Sequence, residues 1–343
     1  MESLDSLLLH DDQLRSFRLE LCFFPLANHL LDLRWELGTC IPKALLSGNE
    51  LSPLRSQKKL KSIALITDGE CGSSMSTQYC VDLVQFKDLK ALAWRGLNRY
   101  SDFESVKDCF GALGHQLSSL TLDLVNWDRA MKIWADGFRR HNAQNVPDNF
   151  FAQNVLNISP RDKGVLFQSL EHLHLSGVSF CHAGAQMLHS FNIECINSLE
   201  LRNCPGSLDL LEQALTSGKT LKLRELELSL DINCLQRPAH VRSTEIVCEF
   251  IQHVHHLEVL HLMLPEPFDW GSLAYAISTC TCLKSLVMHY LVDRGGLYLI
   301  DGGISWPSYL EDVLQVKQLT CFGLSTPPVE LVRASACILY RNS

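Results

Sequence analysis

Four side chains in the second half of the chain, His174, Glu200, Glu227 and His261, are of the types that hold a divalent metal or carry a proton. They fall at one equivalent place in successive copies of a short apolar pattern. Imidazoles and carboxylates set side by side have three uses. They can satisfy one another across a solvated surface, present a charged patch to a partner, or coordinate a divalent ion. Coordination needs ligands that converge, whereas a flat row makes a poor tetrahedron, and nothing in the sequence identifies groups to orient the imidazoles. The chain has no G-x-S-x-G, phosphate-binding loop, H-E-x-x-H or kinase signature. Its 14 cysteines are scattered; the closest pair, Cys280 and Cys282, lacks a second pair or a histidine at zinc-site spacing. The chain therefore reads as non-catalytic, with no cofactor and no metal. A metal-dependent or thiol enzyme, using this row or a cysteine such as Cys321, is the alternative.

The elements that would position the row come from a recurring grammar. A large apolar residue stands at the first, fourth and sixth places of short segments beginning at Leu14, Leu60, Leu89, Leu117, Leu170, Ile196, Leu223, Leu257, Leu283 and Leu319. Offsets between them are 46, 29, 28, 53, 26, 27, 34, 26 and 36 residues, close enough to one period to describe repeated units with insertions. Alternation marks each segment as a strand. Between them lie stretches with apolar residues three and four apart, at 102–113, 182–191, 207–218, 243–254, 270–279 and 308–316, which predict helices. Ser207 and Ser243 are expected as N-caps and Gly218 as a helix stop. A doubly wound sheet would show continuous Val/Ile strands and a Gly-rich phosphate turn. Neither is present.

On these segments the chain resembles intracellular leucine-rich-repeat proteins of the helix-backed kind, ribonuclease-inhibitor-like and F-box-associated. In phrasing it is similar to the divergent repeat regions of fungal F-box-type proteins. The resemblance implies an α/β solenoid, a curved parallel β-sheet on the concave side with helices and loops on the convex side. It spans residues 14–325 as a single domain of about ten units, after a lead-in at 1–13 and before a tail at 326–343. The family's ninth-place Asn or Cys occurs only as Cys22 and Cys204, so the arc is expected to be irregular. Residues 126–165 and 292–308 fit no unit and read as insertions, the second a long loop or hairpin on a repeat edge; they are plain surface loops first, and candidate contact elements as the alternative.

In a strand, the neighbours of buried positions point the other way. The third, fifth and seventh places of each unit therefore line the open face. Its first half is small and nearly neutral, whereas its second half concentrates His172, His174, Glu200, Arg202, Glu225, Glu227, His261 and His289. These eight are the expected partner-binding residues, with His172 and His174 on the open face beside Glu200 and not in the core.

Bulk properties narrow the partner. Hydrophobic residues make up 46% and charged residues 20% of the chain, enough for a sizeable core. A net charge of −8 argues against nucleic acid and anionic membranes. The densest basic cluster, Arg55, Lys58, Lys59 and Lys61, reads as a solvated face. No signal peptide or membrane-spanning run is visible, so the expected setting is intracellular, cytoplasm or nucleus, with reduced thiols packed as small hydrophobes. The expected partner is a protein. The resemblance also implies substrate recognition for an SCF-type ubiquitin ligase, but no F-box is recognisable. Adaptor recruitment is expected only if the box belongs to a longer product.

Overall fold

The computed structural model describes residues 30–39, 41, 46, 54–67, 81–97, 100–124, 151–156, 164–180, 183–230, 240–265, 269–291 and 320–325. Among them, ten strands form one sheet: β1 (Asp32–Trp35), β2 (Ser62–Ile66), β3 (Ala91–Arg95), β4 (Ser119–Asp123), β5 (His172–Ser176), β6 (Ser198–Arg202), β7 (Glu225–Ser229), β8 (Val259–Pro265), β9 (Ser285–Leu291) and β10 (Cys321–Ser325). Spatial order follows chain order, and every neighbouring pair is parallel. The chain is thus an α/β protein with an all-parallel sheet flanked by helices, in a solenoid-like order.

Strands β2 to β10 each begin at the third place of an expected unit, from Leu60 to Leu319. The first strand does not match. β1 belongs to a unit starting at Leu30, where Leu30, Leu33 and Trp35 repeat the apolar spacing of Leu89, Leu92 and Trp94. The unit expected at Leu14 lies outside the described residues.

Two backbone devices recur and hold the register. In the turn before a strand, the first apolar residue donates its N–H to the carbonyl three residues back: Leu60 to Gln57, Leu89 to Phe86, Leu117 to Gly114, Ile196 to Ile193, Leu257 to Val254 and Leu283 to Cys280. The second-place carbonyl then accepts two successive N–H groups from the next unit. Lys61, for example, accepts from Lys90 at 2.7 Å and Ala91 at 2.9 Å, and the pattern runs from Leu31 through Lys284. Each unit is thereby aligned by its predecessor, and few strand-end backbone groups are left orphaned.

Among the described residues, five α-helices pack behind the strands: α1 (Tyr100–Leu113), α2 (Gly184–Ser190), α3 (Ser207–Thr216), α4 (His240–His253) and α5 (Trp270–Ser278). One continuous core joins strand leucines such as Leu175, Leu201, Leu228 and Leu262 to helix residues such as Met187, Leu211, Ile251 and Ile277. The expected Ser caps are corrected. Gly206, in the left-handed region, precedes α3, so Ser207 is its buried first residue. α4 begins at His240, which puts Ser243 inside the helix. Gly218 does lie just beyond α3 at φ +67, and Asp269 caps α5 by accepting from the N–H groups of Gly271 and Ser272.

The longest gap between described strands, from β4 to β5, is closed by aromatic packing. Phe167 meets Phe110 edge-on at 5.0 Å and stacks on Phe191 at 5.0 Å. Residues 151–156 of the expected insertion include a π-helical turn (Phe151–Val155), and Phe151, Ala152, Val155 and Leu156 are buried in the common core. That piece packs; it is not a contact element. Residues 126–150 and 157–163, the 292–308 stretch and the helix expected at 308–316 lie outside the described residues.

Candidate interaction site on the open sheet face

Parity along each strand places leucines on the core and their neighbours on the opposite face, and the register turns those neighbours into rows. His174 stands beside Glu200, Glu200 beside Glu227, and Glu227 beside His261. One row along, Asp123, Ser176, Arg202, Ser229, Met263 and His289 follow each other. The third row runs His172, Ser198, Glu225, Val259. Strands at ~4.8 Å spacing put all of these within side-chain reach of the next.

The side chains link into one chain of polar contacts across four strands. His174 donates through Nδ1 to Glu200 Oε2 at 2.9 Å, and Arg202 Nη2 reaches the same oxygen at 3.5 Å. Arg202 grips Glu227 with two bonds, Nε to Oε1 at 2.5 Å and Nη2 to Oε2 at 2.8 Å. His261 Nδ1 approaches Glu227 Oε2 at 3.4 Å. A planar guanidinium matches a carboxylate in this two-point fashion, which a lysine could not reproduce. The hydrogen bond from His174 is the main cause holding the Glu200 carboxyl below its usual range, and burial opposes it. Burial pushes Glu227 up, but hydrogen bonds from His261 and Arg202, with their charges, more than reverse this and hold it at about 2. The hydrogen bond to Glu227 raises Arg202 in turn.

Five of the eight expected residues are therefore brought together: His174, Glu200, Arg202, Glu227 and His261. His172 and Glu225 flank them, exposed, in the third-place row. His289 shares the Arg202 row by backbone register, and its side chain lies outside those described. One expectation is corrected: His174 faces away from the leucine core but is not solvated, being 9% exposed. Its Nε2 is buried with no hydrogen-bond partner among the described residues. Ser198 and Ser229 are also buried, each set between longer side chains on both neighbouring strands. The bridging role of Arg202 escaped the sequence reading, which treated the rows separately. Its position two residues after Glu200, on the same strand face, was the available signal.

Metal and thiol chemistry find no assembled site here. Among the described residues, no group of three or more His, Cys, Asp or Glu side chains is arranged to hold a metal ion. The Glu oxygens are turned onto Arg202 and the imidazoles. Burial raises the Cys109 thiol to about 12 and those of Cys248 and Cys280 to about 11, so none is a ready thiolate. Cys321 stands in the third-place row opposite Ser285, which supplies no base. Cys204 is structural. Buried, it donates from Sγ to the Leu175 carbonyl of the preceding strand at 3.2 Å, tying adjacent units. His255 and His256, in the "HVHH" run, are exposed in the turn before β8, beyond the end of α4. Trp94 is buried, with Nε1 donating to Thr67 Oγ1 at 3.0 Å.

Fold and strip together define a parallel α/β scaffold that carries a preassembled polar network on the sheet face opposite its leucine core. Neither a protein-family model nor a curated protein sequence matches the chain. Among the described residues, no helix is long and apolar enough to cross a membrane.

Proposed function

We propose that the chain is a leucine-rich-repeat protein that holds another protein on the open face of β5–β9, without catalysing a reaction. The observation that carries this reading is the continuous His174–Glu200–Arg202–Glu227–His261 network. Its side chains are already fixed by mutual bonds, so a partner meets ordered donors and acceptors and less rotamer freedom remains to be lost on association. Beside it lie Val259, an exposed apolar side chain, and half-buried Met263. Fixed polar groups around small apolar contacts are the composition of a protein interface. Charge pairs of this kind set specificity and orientation more than affinity.

The test is affinity capture with quantitative mass spectrometry, comparing the natural chain with His172→Asp/Glu225→Arg/Val259→Arg. These three positions are exposed, so the variant should melt like the parent. Tyr275→Ala, exposed on α5 behind the sheet, is the control. Partners retained by the parent and the control but lost by the triple variant are the expected result. Equal retention by all three proteins would sink the assignment.

A further inference from the structure

A second surface emerges only when the units are stacked. The turns that lead into β2 and β3 are equivalent, each closed by the same N–H to carbonyl bond. Stacking them sets Lys58 beside Lys87 in the turns and Lys61 beside Lys90 at the strand entrances, with Lys59 and Arg55 on the same edge; all six are exposed. The arrangement is firmly held: Lys90 donates its N–H to the Lys61 carbonyl at 2.7 Å, and Gln116 Nε2, from the next turn, donates to the carbonyls of Lys87 at 2.7 Å and Leu89 at 3.0 Å. Two acids, Asp82 and Asp88, stand in the described stretch 81–90 that leads into β3.

Elsewhere the same row neutralises itself. In β7–β9 the second-place residues Arg224, Glu258 and Lys284 pair, with Glu258 taking Arg224 at 3.7 Å and Lys284 at 2.5 Å. Upstream, the ammonium groups of Lys58, Lys61, Lys87 and Lys90 meet no carboxylate among the described residues. Among the described residues, Lys58, Lys61, Lys87 and Lys90 thus gather positive charge on one edge of a chain of net charge −8.

We propose that this edge of β2 and β3 docks an acidic, Asp/Glu-rich segment of a partner protein. Lysine predominates over arginine, and the one aromatic residue of these two turns, Phe86, is buried, so the edge offers no platform for stacked bases. A long polyphosphate backbone would also run on against the acidic remainder of the molecule. A short acidic segment meets only the lysines. The surface is separate from the His174–His261 strip.

The experiment is fluorescence anisotropy of the full chain with a labelled oligoglutamate peptide. Binding that weakens as salt is raised is expected. Lys61→Glu/Lys90→Glu should lose about tenfold or more in affinity, and Lys284→Glu, at the self-neutralised end, less than about twofold. The His172→Asp/Glu225→Arg/Val259→Arg protein should bind as the parent does. If the double reversal fails to fold, Lys58→Gln/Lys87→Gln carries the same test in the turns. Undetectable oligoglutamate binding, or equal binding by the lysine variants, overturns the proposal. Tighter capture of a DNA duplex or of phosphatidylserine vesicles through the same lysines overturns the acidic-segment assignment.

Discussion

At the scale of single residues, Arg202 decides whether the strip is a structure or a scatter of solvated charges. Glu227 is only 13% exposed at its side chain and shares its charge with Arg202 and His261. Arg202→Ala leaves that carboxylate with one imidazole, and a loss of roughly 1–3 kcal/mol in unfolding free energy at neutral pH is expected. The pH dependence follows from the depressed carboxyl. Its stabilisation is complete above the ordinary value of 4.5 and is lost as pH falls toward about 2. In Arg202→Ala the carboxyl titrates nearer its ordinary value of 4.5, so the acid-side loss begins at the same pH but is smaller and is complete at a higher pH. Urea midpoints across that window check both outcomes, and Arg202→Lys should recover only part of the loss because it lacks the two-point grip. An unchanged midpoint and acid limb would mean that the pairs contribute nothing. The residues of this network were legible because strand parity is strict. The burial of His174 was not, since it depends on how neighbouring side chains lie over it.

At the scale of elements, the step out of each strand is set by backbone shape. Gly96, Gly177 and Asn203 occupy one equivalent place, the eighth of their units, and all have positive φ. At Gly96 an added Cβ would stand 2.1 Å from the Thr67 carbonyl oxygen of the preceding unit. Gly218, also at positive φ, has open space around it. The pair separates conformation from collision. Gly218→Ala should cost about 1 kcal/mol from backbone strain alone, and Gly96→Ala clearly more, on the order of 2–4 kcal/mol, because a stacked carbonyl must move. Thermal and chemical melts of the two variants measure this, and equal losses would refute the close approach. Caps and starts were the less legible part of the elements. Ser207 and Ser243 have the chemistry of N-caps, but tertiary stacking begins α3 after Gly206 and α4 at His240. Leu30, Leu33 and Trp35 satisfy the same spacing as the expected units, and the unit expected at Leu14 lies outside the described residues. A leucine-rich chain offers several frames, and only pairing with β2 selects one.

For the whole molecule, nine of the ten strand starts among the described residues follow from leucine spacing because each unit repeats the same demand: three apolar teeth inward and a register set by the unit before. The basic edge was half visible, as Arg55, Lys58, Lys59 and Lys61. Lys87 and Lys90 join it only through stacking, which spacing alone did not translate into a surface. The same linear logic governs stability. Each strand touches only its chain neighbours in the sheet, so protection against opening should track position along the stack. β1 is the extreme case. Among the described residues it pairs on one side, with β2, and none of its four residues is fully buried, whereas β6 is held between β5 and β7 with Leu201 wholly enclosed. Hydrogen exchange read by mass spectrometry should therefore show fastest exchange in Asp32–Trp35, slowing through β2 and β3 to a plateau in β5–β7. Leu201→Ala, expected to cost about 2–5 kcal/mol, should accelerate exchange in β5, β6 and β7 more than in β2. Uniform acceleration across the sheet would show one cooperative block in place of a nearest-neighbour stack. A variant at the basic edge would then be read through the whole sheet and not through its own units.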